Sequence, residues 1–205
     1  MSKGILIVVS GFSGAGKGTI TKELVKRYEN YCLSVSATSR KPREGEVEGR
    51  DYFYKTREEF ESMIENDELL EHAQYVGNYY GTPKKYVEDC INAGRDVILE
   101  IEVQGALQIK KKVPEAVTIF MTTPTIAILK QRLIGRGTET LEVIEQRLKR
   151  AKEEAEYMTQ YDYIIVNDDL EECVTGLNDL LASLHSRVSN NEEFISSIKK
   201  QLQEI

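Results

Sequence analysis

Apolar and polar positions along this chain fall into repeating blocks. Ile5–Ser10 is a short aliphatic run, the pattern of a strand buried on both faces. Gly11–Gly16 predicts a glycine-rich loop. From Lys17 to Tyr28, the residues Ile20, Leu24 and Tyr28 recur at fourfold spacing, so a helix is expected. Similar units return further on. Asp96–Glu102 predicts a strand and Gln104–Lys112 a helix. Val117–Met121 predicts a strand and Thr125–Ile134 a helix. Tyr163–Val166 predicts a fourth strand, followed by a helix from about Leu170 to Leu184. Short strands alternating with helices imply an α/β fold, with a parallel sheet covered on both faces.

Residues 36–82 break that rhythm. Tyr52, Tyr54, Tyr75, Tyr79 and Tyr80 gather there amid short polar–apolar alternation. A small, mostly antiparallel lobe is expected, inserted into the core. After Gly135-Arg136-Gly137, Thr138–Gln160 reads as a charged helical cover. The expected division is a three-layer α/β/α core over residues 1–35, 83–135 and 161–188, a lobe over 36–82 and a lid over 136–160. Residues 189–205 predict a C-terminal helix with Phe194, Ile198, Leu202 and Ile205 as its stripe and Asn190 or Asn191 as its cap. Packing of that stripe on the core is one expectation and a dimer contact the other, so the chain is a monomer or a homodimer.

Composition narrows the partners. The 205 residues carry a net charge of −7, with 40% hydrophobic and 30% charged residues. This fits a globular protein and argues against a surface held on nucleic acid or an anionic membrane by a global positive field. The acidity is local: residues 1–152 hold 24 Lys+Arg and 22 Asp+Glu, and residues 153–205 hold 3 and 12. Lid residues 130–152 hold seven basic and three acidic residues. The run Ile5–Val9 is far too short to span a bilayer. A Gly-rich loop follows it, so no leader is expected. Cys32, Cys90 and Cys173 read as reduced, buried thiols, and a cytoplasmic location is expected.

Gly11-Phe12-Ser13-Gly14-Ala15-Gly16-Lys17-Gly18-Thr19 carries the first chemistry. The G-x-x-x-x-G-K spacing, between a buried strand and a helix, lets backbone N–H groups surround a phosphate. The helix beginning near Lys17 adds its positive end, and the lysine reaches the β/γ-phosphates. Gly18 stands where Ser or Thr usually touches Mg²⁺, with Thr19 next. The metal is then expected to rest mostly on phosphates and water.

A second pattern decides among phosphate-loop proteins. Ser36-Ala37-Thr38-Ser39-Arg40-Lys41-Pro42-Arg43-Glu44-Gly45-Glu46 is followed by Gly49-Arg50-Asp51-Tyr52. Leu70-Glu71-His72-Ala73, Gly77-Asn78-Tyr79-Tyr80-Gly81-Thr82 and Leu99–Gly105 come next. Arg132–Thr140 and Ile165-Val166-Asn167-Asp168-Asp169 complete the series. In this order, from about residue 4 to 185, the chain resembles the guanylate kinases. The resemblance implies transfer of the γ-phosphoryl of ATP to GMP, with Mg²⁺. Physics agrees on two points. Arg40 and Arg43, with Pro42 keeping Lys41 extended between them, suit a cationic clamp on a phosphate monoester. A carboxylate reads the N1–H and N2–H₂ edge of guanine with two hydrogen bonds, and adenine offers no such edge.

The resemblance assigns that carboxylate to Glu71, with Thr82 and Ser36 near O6. It places Tyr52 and Tyr80 on the GMP phosphate and Glu100 on the GMP nucleoside. It puts Arg136 and Arg147 over the ATP phosphates, Arg132 near the nucleotide and Asn167 beside adenine. Glu102 or Thr19 would orient Mg²⁺ through water. Spacing by two sets Glu100 and Glu102 on one strand face. Many family members carry Asp at both positions. Lys149, Arg150 and Lys152 read as solvated charges, and neither His72 nor His185 needs a catalytic role. Two other readings remain open: another nucleoside-monophosphate kinase, or a non-catalytic guanylate-kinase-like interaction module. A switch GTPase lacks its N-K-x-D motif.

Overall fold

Strand β1 (Leu6–Gly11) sends its side chains alternately into two different cores, which explains its unbroken aliphatic run. Val9, with Ile5 and Ile7, packs among Ile20 and Leu24 of helix α1 (Lys17–Arg27) and Leu177 and Leu181 of helix α7 (Leu170–Leu184). Leu6 and Val8 pack among Val87 of helix α3 (Lys84–Asn92) and Ala106 and Ile109 of helix α4 (Val103–Lys112). A strand flanked by helical layers on both sides has no polar face. The structure, a computed structural model, describes residues 3–75, 77–135 and 140–205. Arg136 lies outside them.

The main sheet runs β2-β7-β1-β8-β9, with β2 at Tyr31–Leu33, β7 at Asp96–Glu100, β8 at Val117–Thr122 and β9 at Tyr163–Val166. Every pairing in it is parallel. The loops leaving β1 and β7 lie side by side at the C-terminal end of the sheet. They lead to α1 and α4 on opposite faces, the crevice in which open α/β sheets bind ligands.

A second sheet, β4-β3-β6-β5, forms the lobe. Its strands are β3 (Ala37–Thr38), β4 (Phe53–Tyr54), β5 (Leu69–Tyr75) and β6 (Asn78–Pro83). Two of its three pairings are antiparallel, and β3–β4 is parallel. Helix α2 (Arg57–Glu65) sits within the lobe, opened by a Thr56/Glu59 capping box. The lobe core is small: Ala37, Phe60 and Leu69, with Tyr79 stacked on Phe60 at 5.3 Å. Helix α5 (Ile126–Gly135) ends the second core stretch, helix α6 (Leu141–Ala155) falls in the segment expected as a lid, and Thr140 caps α6.

Several expectations change. Strand β7 ends at Glu100, so Glu102 does not share its strand face. Glu102 instead has the extended backbone of the N-cap of α4 (φ −69°, ψ 157°). Helix α8 (Glu192–Leu202) forms, but its stripe does not pack on the core: Phe194 is 65% exposed and Leu202 64%. Asn191 stands at the cap position of α8, yet its amide donates backwards to the His185 and Arg187 carbonyls. Cys32 and Cys173 are buried free thiols, whereas Cys90 is only half-buried.

Candidate active site

The loop Gly11–Gly16 turns between β1 and α1 under tight constraints. Gly16 has φ +93°, and a Cβ there would lie 2.3 Å from the Asn167 amide nitrogen. Only glycine meets both demands. Asn167 is buried and donates to the Ala15 carbonyl at 2.8 Å, so it props the loop from behind. Lys17 folds back over the loop, its Nζ donating to the Gly11 carbonyl at 2.7 Å and the Phe12 carbonyl at 3.2 Å. Its ammonium is thus held over the loop that the sequence marks for phosphate. Thr19 is exposed in the first turn of α1.

Glu100 ends β7 beside that turn. Its Oε2 accepts from the Thr21 hydroxyl at 3.2 Å. A Cβ on Gly18 would lie 3.3 Å from the same oxygen. The absence of a side chain at position 18 therefore leaves room for a carboxylate as long as Glu. Glu100 also lines a cavity of about 110 Å³ with Ser34, Ser36 and Thr82, between the core and the lobe. The Ser34 hydroxyl in its wall was not singled out from sequence, where nothing marks it.

Glu71 on β5 is only 6% exposed. Thr82 donates to its Oε1 at 2.8 Å. Burial pushes the Glu71 carboxyl above the usual range, and the Thr82 hydrogen bonds pull partly against it. Gly105 on α4 gives this carboxylate its space: a Cβ there would stand 3.0 Å from Oε2. Gly105→Ala should displace the Glu71 head. A crystal structure of the variant checks this: the Thr82–Glu71 hydrogen bond should be broken, and an unmoved carboxylate would show that Gly105 does not set its place.

The lobe also gathers Arg40, Tyr52 and Tyr80. The Arg40 guanidinium lies 5.3 Å from the Tyr52 ring centroid, and the Tyr52 and Tyr80 rings are 6.0 Å apart. Arg40 pairs with Glu46 through both terminal nitrogens. The Arg43 side chain is exposed at the lobe edge.

Helix α6 packs on the core through Ile144 and Ala151, and two of its arginines add polar contacts there. Arg147 donates to the Ser13 hydroxyl of the phosphate loop. Arg150, three residues on, donates to Glu102 at 2.7 Å and to the buried Glu154 at 3.1 Å. Arg150 is an exposed charge, as expected, in a surface pair with Glu102. Arg132 on α5 donates to the Asp168 carbonyl at 3.2 Å.

The guanylate kinase family model matches residues 3–184, the span that holds every site residue named above. This chain belongs to the guanylate kinase family. It is 52% identical over 204 residues to a guanylate kinase of Enterococcus faecalis, covering 99% of this chain and 98% of that one. It is 54% identical over 185 residues to one from Halalkalibacterium halodurans, covering 90% and 91%. A crystal structure of guanylate kinase from Anaplasma phagocytophilum matches the fold with a TM-score of 0.71 at 34% identity, over 91% of this chain and 89% of that one. Among the described residues, no helix is long and apolar enough to cross a membrane.

Proposed function

We propose that this guanylate kinase transfers the γ-phosphoryl of ATP to GMP, giving ADP and GDP. The observation that carries the choice of acceptor is Glu71, a buried carboxylate fixed by Thr82 beside the Ser36–Glu100 cavity. Adenine would leave that carboxylate desolvated and poorly paired.

The roles proposed are those the family resemblance assigns. Residues 11–19 and Lys17 hold the ATP phosphates, with Arg132 and Asn167 toward its nucleoside. Arg40, Arg43, Tyr52 and Tyr80 hold the GMP phosphate. Glu71, Ser36 and Thr82 read the base, and Glu100 bounds the nucleoside. Arg147, already on Ser13, covers the transferring group together with Arg136 of the lid. The lobe, 36–82, and the lid, 136–160, close on the core and exclude water, which suppresses ATP hydrolysis. The acceptor phosphate is already ionised, so the protein needs no general base. Its contribution is alignment and charge.

Among the described residues, no three His, Cys, Asp or Glu side chains cluster as a metal cage. Such a sparse oxygen donor set fits Mg²⁺ carried largely by phosphates and water. Glu102 and Thr19 are the residues that would hold it through water. Mg²⁺ bound with ATP would neutralise phosphate charge. The cytoplasm is the proposed location and ATP and GMP the proposed partners.

A coupled assay with GMP, dGMP, AMP, CMP and UMP tests this reading. We expect kcat/KM for GMP to exceed that for AMP by about 10⁴. AMP equal to or better than GMP would refute it. GMP binding without GDP formation would point to an interaction module instead.

A further inference from the structure

Glu46 lies beyond the residues given a role above, yet it is a dense hub of the lobe. Arg40 Nη2 donates to its Oε1 at 2.8 Å, and Nη1 to its Oε2 at 3.0 Å. The Arg43 backbone N–H donates to Oε2 at 2.7 Å, and the Tyr54 hydroxyl to the same oxygen at 2.8 Å. A carboxylate has about four acceptor sites. Glu46 receives four donors, one on Oε1 and three on Oε2, from three residues. The pair is also shielded: the Arg40 and Glu46 side chains are 14% and 20% exposed, against 65% and 36% for Arg50 and Asp51 on the same lobe. An exposed pair of that second kind contributes little, whereas a shielded, two-pronged pair fixes geometry.

We infer that Glu46 is a positioning residue for the acceptor: it holds the Arg40 guanidinium and the Arg43 backbone in the arrangement that grips the GMP phosphate. This rests on the assignment of Arg40 and Arg43 to that phosphate. Four observations lead to it. First, the fork of Arg40 is planar, so two bonds to Glu46 set its plane as well as its place. Second, Nη1 also donates to the Lys41 carbonyl at 2.8 Å, and the Tyr52 ring lies beneath the guanidinium. The arginine is therefore held on several sides before any phosphate arrives. Third, the Arg43 N–H bond fixes the backbone across Pro42, and with it the direction in which the exposed Arg43 side chain leaves the lobe. Fourth, the Arg40 bonds, ahead of those from Arg43 and Tyr54, hold the Glu46 carboxyl down at about 2. The hub therefore stays charged throughout the working range of pH. A flexible arginine loses rotamer freedom when it binds a ligand. Here the protein has already imposed that loss.

The rival outcome is that Glu46 competes with the phosphate for Arg40. Calorimetric titration with GMP and with guanosine separates the two, because only GMP presents the phosphate. In Glu46→Gln we expect the Kd for GMP to rise about tenfold while that for guanosine stays within twofold. Tyr54→Phe keeps the ring and removes one bond. It should weaken GMP about two- to threefold, again without moving guanosine. Glu46→Asp should recover part of the loss. In turnover, the KM for GMP should rise more than kcat falls. Melting temperatures of the variants, compared with wild type, identify any that fail to fold, and Tyr54→Phe then carries the test. An unchanged preference for GMP over guanosine in Glu46→Gln and Tyr54→Phe would overturn the positioning role. Tighter GMP binding in Glu46→Gln would overturn it in favour of competition. A wild-type chain that bound GMP no better than guanosine would instead overturn the assignment of Arg40 and Arg43 to the phosphate.

Discussion

Glu71→Gln should lower kcat/KM for GMP by about 10³, while the Kd for ATP stays within twofold. The reason lies in which groups face each other. A carboxylate accepts from both N1–H and N2–H₂ of guanine. The amide of Gln presents one acceptor and one donor, so a donor would meet a donor. Burial makes the mismatch costly, because little water can reach the site to relieve it. Stability should move differently from activity. Burial raises the Glu71 carboxyl above its unfolded value, so its ionised form is disfavoured in the folded chain. Between the unfolded and the folded pKa the native state binds more protons, and stability falls as pH rises. Removing the charge should therefore leave the melting temperature at neutral pH no lower than that of wild type. The same shift gives a pH signature. GMP recognition needs the ionised form, so the acid limb of kcat/KM for GMP should lie above the ordinary carboxylate range and vanish in Glu71→Gln. Unchanged GMP kinetics in that variant would remove Glu71 from base reading.

The second large effect belongs to Lys17. Lys17→Ala should reduce kcat by about 10³, roughly 4 kcal/mol of transition-state stabilisation, and change the KM for ATP far less. Its ammonium is held over the phosphate loop by the Gly11 and Phe12 carbonyls. Lys17→Arg should not restore the rate, because a planar fork does not match contacts made by a compact ammonium. Single-turnover measurements check this directly. A kcat within tenfold of wild type in Lys17→Ala would exclude a role in stabilising transfer.

The parts of the fold legible in the sequence were those with local causes. The strand–loop–helix start follows from an aliphatic run, glycines and fourfold spacing. Helix α6 follows from Thr140 and the charged periodicity after it. Helix α2 left a legible sign in Thr56 and Glu59, a capping box among tyrosines that drew attention elsewhere. The apolar alternation of DVILEIE continues past the point where pairing stops. After the Ile101 N–H bond to Val9, the chain turns into α4, and Glu102 leaves the strand face. No local pattern reports that exit. Contacts across long separations were hidden for the same reason. Arg150 meets Glu102 from 48 positions away, and Arg147 meets Ser13 from 134. Helix α8 shows the limit in another form: spacing specifies its apolar stripe, but not what the stripe faces.

The two halves of the crevice rest on very different foundations. The strand that carries the phosphate loop belongs to two cores at once, so neither helical layer can loosen without stripping a row of β1. The lobe's own core is only Ala37, Phe60 and Leu69, with Tyr79 stacked on Phe60, and Leu70 of β5 is its anchor in the main core. Partial opening of the lobe therefore exposes much less apolar surface than any opening of the core, and such regions open at lower free energy. The molecule is in effect a stiff anvil with a soft jaw. On the assignments proposed above, ATP binds to the part that does not yield, and the acceptor is brought to it by the part that does.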